Sequence, residues 1–192
     1  MIRVLDQVDR DAWSDQSRDA ILDRDLPSLV DHFRPRSDRD ELREQMGICD
    51  DTILVAVLSD SPAQTDAREF SFLLGLLAAA GFRVAGLLPE SARHHGIARR
   101  HHRALHCPFR LFFTHDPILS HLPAIDLMLQ VDRSHSASTH LLSRLCDNAD
   151  VPVMQIEHAG RRGLSSDPSD PARMLEQFDE IVRAQQRTKA AH

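Results

Sequence analysis

The sequence predicts an α/β domain built on one doubly wound parallel sheet. Three observations carry this expectation. Runs of strand length that are apolar throughout, such as Thr52-Ile-Leu-Val-Ala-Val-Leu58, read as strands buried on both faces. Between them lie longer segments whose apolar residues recur at three- and four-residue spacing, the period of a helix with one buried stripe. Polar turns separate the two kinds. Strands alternating with helices give a parallel sheet, and right-handed crossovers place helices on both of its faces.

Residues 1–28 form a polar arm with a weak helical stripe at Trp13, Ser17, Ala20 and Ile21, within about Arg10 to Arg24. The domain proper is expected over 29–187, with a frayed tail at 188–192. Leu29 to Pro35 is a short apolar segment ended by proline. A helix should start at Ser37, with Asp40 and Glu41 in its first turn and Gly47 as its stop; Ser37-Asp-Arg-Asp40 matches the capping box loosely. The strand Thr52–Leu58 follows, bounded by Asp50-Asp51 and by Ser59-Asp60-Ser61-Pro62. Next comes a helix of about Thr65 to Ala80, with Phe70, Leu73, Leu74 and Leu77 on one face and Gly81 at its end. Arg83 to Leu88 is the next strand, and Ser91 to Leu105 the next helix, weakened by Gly96. Arg110-Leu-Phe-Phe-Thr114 is a strand, and Asp116-Pro117 opens a short helix ending near Leu122.

The stretch Leu122 to His158 organises the expected site. Ile125 to Val131 has the length of a buried strand, with Asp126 at its head. Asp132 to Ser136 is a polar turn, Leu141, Leu142 and Leu145 mark a helix from Ala137, Asn148 to Asp150 closes it, and Val151 to Ile156 is a strand. Ser169-Asp-Pro171 opens a last helix, Ala172 to about Gln186, with Met174, Leu175, Phe178 and Ile181 inward. Ligands of such sheets sit outside the carboxyl ends of the strands, so the turns 132–136 and 157–160 are expected to line one cleft.

Composition bounds the function classes. A chain of 192 residues suffices for one domain with an arm. It has no apolar run of membrane-spanning length and no secretory h-region at the N-terminus, so a cytoplasmic location is expected. Cys49, Cys107 and Cys146 are widely spaced, odd in number and without a CxxC pair, which argues against a disulfide framework. A net charge of −6 gives no general reason to expect nucleic acid or a membrane as partner. GxGxxG, Walker A and Gly-x-Ser-x-Gly sequences are absent, which removes the usual dinucleotide, ATP and serine-hydrolase signatures.

Local constellations remain, each with two readings. Ser91 to Arg110 carries Arg93, Arg99, Arg100, Arg103 and Arg110, five histidines and no acid: a basic patch for phosphates or an acidic partner, or a solvated outer helix. His102 and His106, four apart with Cys107 adjacent, have a spacing zinc can use but no third ligand at a fixed offset, and no metal site is expected. Gly160-Arg161-Arg162-Gly163 is either a phosphate-facing loop with backbone freedom and two cations, or an ordinary flexible loop.

Several phrases, in order, resemble the C-terminal, donor-binding half of the GT-B glycosyltransferases of family 4. They are Val30-Asp31-His32-Phe33-Arg34-Pro35, the helix Asp38 to Ile48, Leu122-Pro-Ala-Ile-Asp126, the Asp132–Ser136 turn, Val151-Pro152-Val153, and Asp167-Pro-Ser-Asp-Pro171. The resemblance spans about residues 28 to 185 and implies a Rossmann-like GT-B half domain that binds a sugar nucleotide, with UDP- or GDP-sugar as the ligand class and no other cofactor. The family's working residues are largely replaced. Where it has an arginine after the first strand, this chain has Asp60, no lysine follows, and Arg68 is the cation left to reach back toward a diphosphate. The family's Glu-x7-Glu pair falls on His135 and Ser143, and Ser143 offers no charged bidentate acceptor to a ribose. His135 is the candidate catalytic residue, as donor to a phosphate or as general base, against the reading of a solvated turn histidine.

The resemblance thus implies a donor-half domain of hexosyltransferase type, with Arg133, Ser134, His135 and Ser136 on phosphate or sugar, Ser143 on ribose, and Arg161 or Arg162 supplying charge. GT-B chemistry takes place between two halves, so transfer would need an acceptor-half protein partner. The other reading is a non-catalytic binding or scaffold domain that kept the fold and lost the donor site.

Overall fold

The computed structural model describes residues 38–59, 65–130, 137–156 and 171–190, with the backbone alone described at 137–141, 171 and 185–190. The chain divides into two units, Met1–Arg34 and Pro35–His192. The described residues belong to the second. The expected helix at 10–24, the segment 29–35, the turn 132–136 and the loop 157–170 lie outside them.

The second unit runs α1 (Arg39–Met46), β1 (Ile53–Leu58), α2 (Ala67–Ala79), β2 (Val84–Pro89), α3 (His95–Ala104), β3 (Arg110–Thr114), a 3₁₀ helix (Ile118–Ala124), β4 (Leu127–Gln130), α4 (Ala137–Asn148), β5 (Val153–Gln155) and α5 (Pro171–Ala190). All four strand pairings are parallel, in the order β3-β2-β1-β4-β5. The expected single α/β sheet is the observed one.

Both faces of the sheet are covered. On one, Phe70, Leu74 and Leu77 of α2, Ala98 of α3 and Phe178 and Val182 of α5 pack on Val55, Val57, Val84, Leu88, Leu127 and Leu129. On the other, Leu42 of α1, Ala124 and Ile125 after the 3₁₀ turn and Cys146 of α4 pack on Leu54, Ala56, Leu58, Ala85, Leu87 and Met128. Successive strand residues point to opposite faces, so strands covered on both sides must be apolar throughout. At Gly86 a Cβ would stand 2.3 Å from Leu74 Cδ1 and 2.8 Å from Phe70 Cε1, so this strand glycine lets α2 lie close on β2.

Element ends differ from expectation where local polar groups decide them. α1 is capped by Asp38, one residue past Ser37; its side chain accepts from the Glu41 N–H, and Gly47 closes the helix in the left-handed region at φ 62°. α3 starts at His95 rather than Ser91. The preceding backbone is already engaged: the Arg93 N–H donates to the Thr65 carbonyl (2.9 Å) and the Ala67 N–H donates to the Arg93 carbonyl (3.0 Å), a parallel bridge that keeps Arg93 out of the helix. α5 runs to Ala190, beyond the Gln186 end and into the expected tail; among its described side chains Phe178 and Val182 are buried, with Met174, Leu175 and Ile181 half-buried.

Candidate functional site at the carboxyl end of the sheet

In the order β3-β2-β1-β4-β5, β1 is followed by β2 on one side, while the chain later crosses over to put β4 on the other. The direction of winding therefore reverses between β1 and β4. Helices that diverge at such a point leave a crevice outside the carboxyl ends of the two strands. Leu58 and Gln130 are register partners at that edge, and Gln130 pairs onward with Gln155 of β5. Gln130 is a buried polar residue at the crevice mouth. Sequence reading passed over it; a glutamine ending an otherwise apolar strand is the signal that marks it.

Beside this crevice, the start of α2 is a closed charge cluster. Asp66 is the N-cap, its Oδ1 accepting from the Arg68 N–H at 2.9 Å. Arg68 Nε and Nη2 donate to Oδ1 (3.1 Å) and Oδ2 (2.7 Å), and His94 Nδ1 lies 3.1 Å from Oδ2. The hydrogen bonds from Arg68, and secondarily that with His94, hold the Asp66 carboxyl well below the usual carboxylate range against the opposing effect of burial. His94 itself has φ 59°, a left-handed conformation costing about 1–3 kcal/mol in a non-glycine residue. The Arg93 bridge and the Asp66 contact hold it there. The N-terminus of a helix is a ready anion site, and here the chain's own carboxylate occupies it.

A second cluster stands at the ends of β2 and β3. Glu90 pairs with Arg99 (3.1 Å) through Oε1 and with His115 (3.0 Å) through Oε2, while the Arg99 guanidinium lies 4.5 Å over the Phe113 ring. His121 Nε2 is 3.2 Å from Thr114 Oγ1, and burial lowers its pKa, favouring the neutral ring.

Of the residues expected to form the site, Arg68 is at the carboxyl end, its Nε and Nη2 donating to Asp66 while its side chain stays half exposed. Ser143 is half-buried in the second turn of α4. His135, Arg133, Ser134, Ser136, Arg161 and Arg162 lie outside the described residues. The zinc-like spacing is not realised on a helix: α3 ends at Ala104, His106 lies beyond it at φ 47°, and His102 Nε2 sits 2.6 Å from the Phe109 carbonyl. Among the described residues no three His, Cys, Asp or Glu are grouped to hold a metal.

The basic stretch 91–110 is neutralised in part by Glu90, which pairs with Arg99, while His94 contacts Asp66 and Arg110 donates to the Gly47 carbonyl and lies over Phe112. Asp126 is a structural residue: its carboxylate accepts from Arg39, Arg43 and the Leu54 N–H at the amino ends of β1 and β4, opposite the crevice.

The fold has a counterpart among solved structures. The chain is similar to WaaG, described as a glycosyltransferase involved in lipopolysaccharide biosynthesis, with a TM-score of 0.51 and 11% identity over 77% of this chain and 42% of that one. The chain has a GT-B-like fold. At this identity the similarity speaks for architecture, and the GT-B-like chain spans less than half the length of the enzyme it matches. No family model and no curated protein matches the sequence. Among the described residues no helix is long and apolar enough to cross a membrane.

Proposed function

We propose that this GT-B-like chain is a single donor-type half domain that binds a sugar nucleotide, a UDP- or GDP-sugar, weakly at the crevice between β1 and β4. Hexosyl transfer then requires an acceptor-half protein partner. The observation that carries the reading is the reversal of winding beside β1 in a sheet of GT-B-like architecture. On this reading Arg133, Ser134, His135 and Ser136 meet phosphate or sugar, Ser143 meets ribose, and Arg161 or Arg162 supplies charge. Weak binding follows from replacing a carboxylate by Ser143, because a lost hydrogen bond to a charged acceptor is worth roughly 1.5–3 kcal/mol, or about ten- to more than a hundredfold in affinity.

A second reading, a non-catalytic scaffold domain without a donor site, is favoured by one specific observation. The cation at the expected diphosphate position is paired with a carboxylate, Asp66, which would repel a diphosphate. Calorimetric titration of the full chain with UDP, GDP and their hexose conjugates separates the two. Saturable heat and a raised melting temperature support the donor domain; neither at millimolar ligand removes it and leaves the scaffold.

A further inference from the structure

We infer that the outer surface of the α2–α3 layer is a docking face for an anionic lipid surface. Three large apolar side chains are exposed among the described residues: Phe72 (67%), Ile97 (43%) and Leu105 (61%). All three belong to this one layer. α2 and α3 lie side by side on the same face of the sheet and are joined at their starts by the Asp66–Arg93 bridge. On α2, Phe70, Leu74 and Leu77 point to the sheet, which at 100° per residue turns Phe72 away from it. Gly75, one turn later, looks toward Phe109 at the far end of α3: a Cβ there would be 3.9 Å from the ring. On α3, Ala98 points to the sheet, and Ile97 stands on the i, i+4, i+8 row with His101 and Leu105, the last closing the helix.

The same surface is basic. Arg93, Arg100, Arg103, His101 and His106 are exposed, and among the described residues none of the three arginines has an acid partner. α3 contains no acid, and α2 contributes only Glu69. Within a chain of net charge −6 this is a local reversal of sign. Protruding apolar tips among unpaired guanidiniums fit a lipid interface, where apolar tips enter the acyl boundary and long cationic side chains reach the phosphates.

The inference is independent of the sugar-nucleotide reading, and a direct experiment tests it. The full chain is sedimented with vesicles of phosphatidylcholine alone and of phosphatidylcholine with about one-third phosphatidylglycerol. Binding to the anionic vesicles only, reversed by salt, is the expected result. Partitioning should fall on the order of fivefold for each arginine neutralised, so Arg100→Gln/Arg103→Gln weakens it by about an order of magnitude or more. Phe72→Ser/Leu105→Ser should weaken it without changing the salt dependence. Arg144→Gln, on α4 at the other face of the sheet, should leave it intact. All four side chains replaced in the double variants are exposed, and an unchanged melting temperature verifies the fold. The inference is overturned if anionic vesicles leave the chain in solution, or if binding survives both double variants. Capture on polyglutamate without vesicle binding would likewise overturn it and assign the face to an acidic protein.

Discussion

Arg43 Nη1 lies 2.9 Å from Asp126 Oδ2, a buried pair that joins α1 to the amino end of β4. The same guanidinium donates to the carbonyls of Ala124 (3.1 Å), Cys49 (2.7 Å) and Thr52 (2.6 Å). Removing it leaves Asp126 as a buried charge and three carbonyls short of a donor. Arg43→Ala is therefore expected to cost about 3–5 kcal/mol. Arg39, at 2.6 Å from the other carboxylate oxygen but one-third exposed, should cost no more than about 1 kcal/mol when truncated. Urea unfolding of both variants checks the ranking; an Arg43→Ala protein as stable as the parent would refute the assignment.

Acid should unfold the domain through the same carboxylate. Burial, the largest single effect on Asp126, pushes its pKa up, but the Leu54 N–H and the charges of Arg39 and Arg43 together outweigh it and leave the pKa lowered. The folded chain thus holds this proton less tightly than the unfolded chain does. Stability is complete above the unfolded value of about 4 and falls as pH drops through the folded one. Melting temperatures across that range should decline for the parent and decline less steeply for Asp126→Asn, from a lower starting point.

Gly86→Ala should destabilise by about 1–3 kcal/mol, the cost of overpacking. The new methyl meets Leu74 and Phe70, and the β2–α2 distance must yield. Thermal melts test this, and Gly96→Ala, where a Cβ meets nothing within 4 Å, is the control expected to be neutral or stabilising.

Asp66→Asn separates capping from charge. Asparagine still caps α2, so the fold should hold, while Arg68 loses its carboxylate partner. If the crevice takes a diphosphate, UDP affinity should rise about tenfold as a repelling charge leaves and a guanidinium is released. Unchanged or weaker binding by a folded variant would count against the donor reading.

The three thiols should react in the order of their burial. Cys49 is exposed, Cys107 half-buried and Cys146 buried, with burial and then Asp147 pushing the Cys146 thiol up to about 12. A thiol reagent at neutral pH should label Cys49 first and Cys146 only in denaturant; early labelling of Cys146 would contradict the packing of α4 on the sheet.

Fold class, strand identity and most helix positions follow from the sequence alone, because strands covered on both faces must be apolar throughout and helices with one buried stripe must repeat every three to four residues. Thr52–Leu58 and Ala137–Asn148 illustrate how far that pattern reaches. What it cannot contain is partnership across the chain. Arg43 and Asp126 are more than eighty residues apart and become a buried pair only when α1 closes over the amino ends of β1 and β4. His94 takes a left-handed backbone because Thr65 to Ala67 claim the hydrogen bonds of Arg93. Arg68 reads as a lone cation until the cap of α2 pairs it with Asp66. Periodicity records which faces are buried, and only the tertiary structure decides which charges meet, since Coulomb and hydrogen-bond contacts act over a few ångströms in space and leave no period in the sequence.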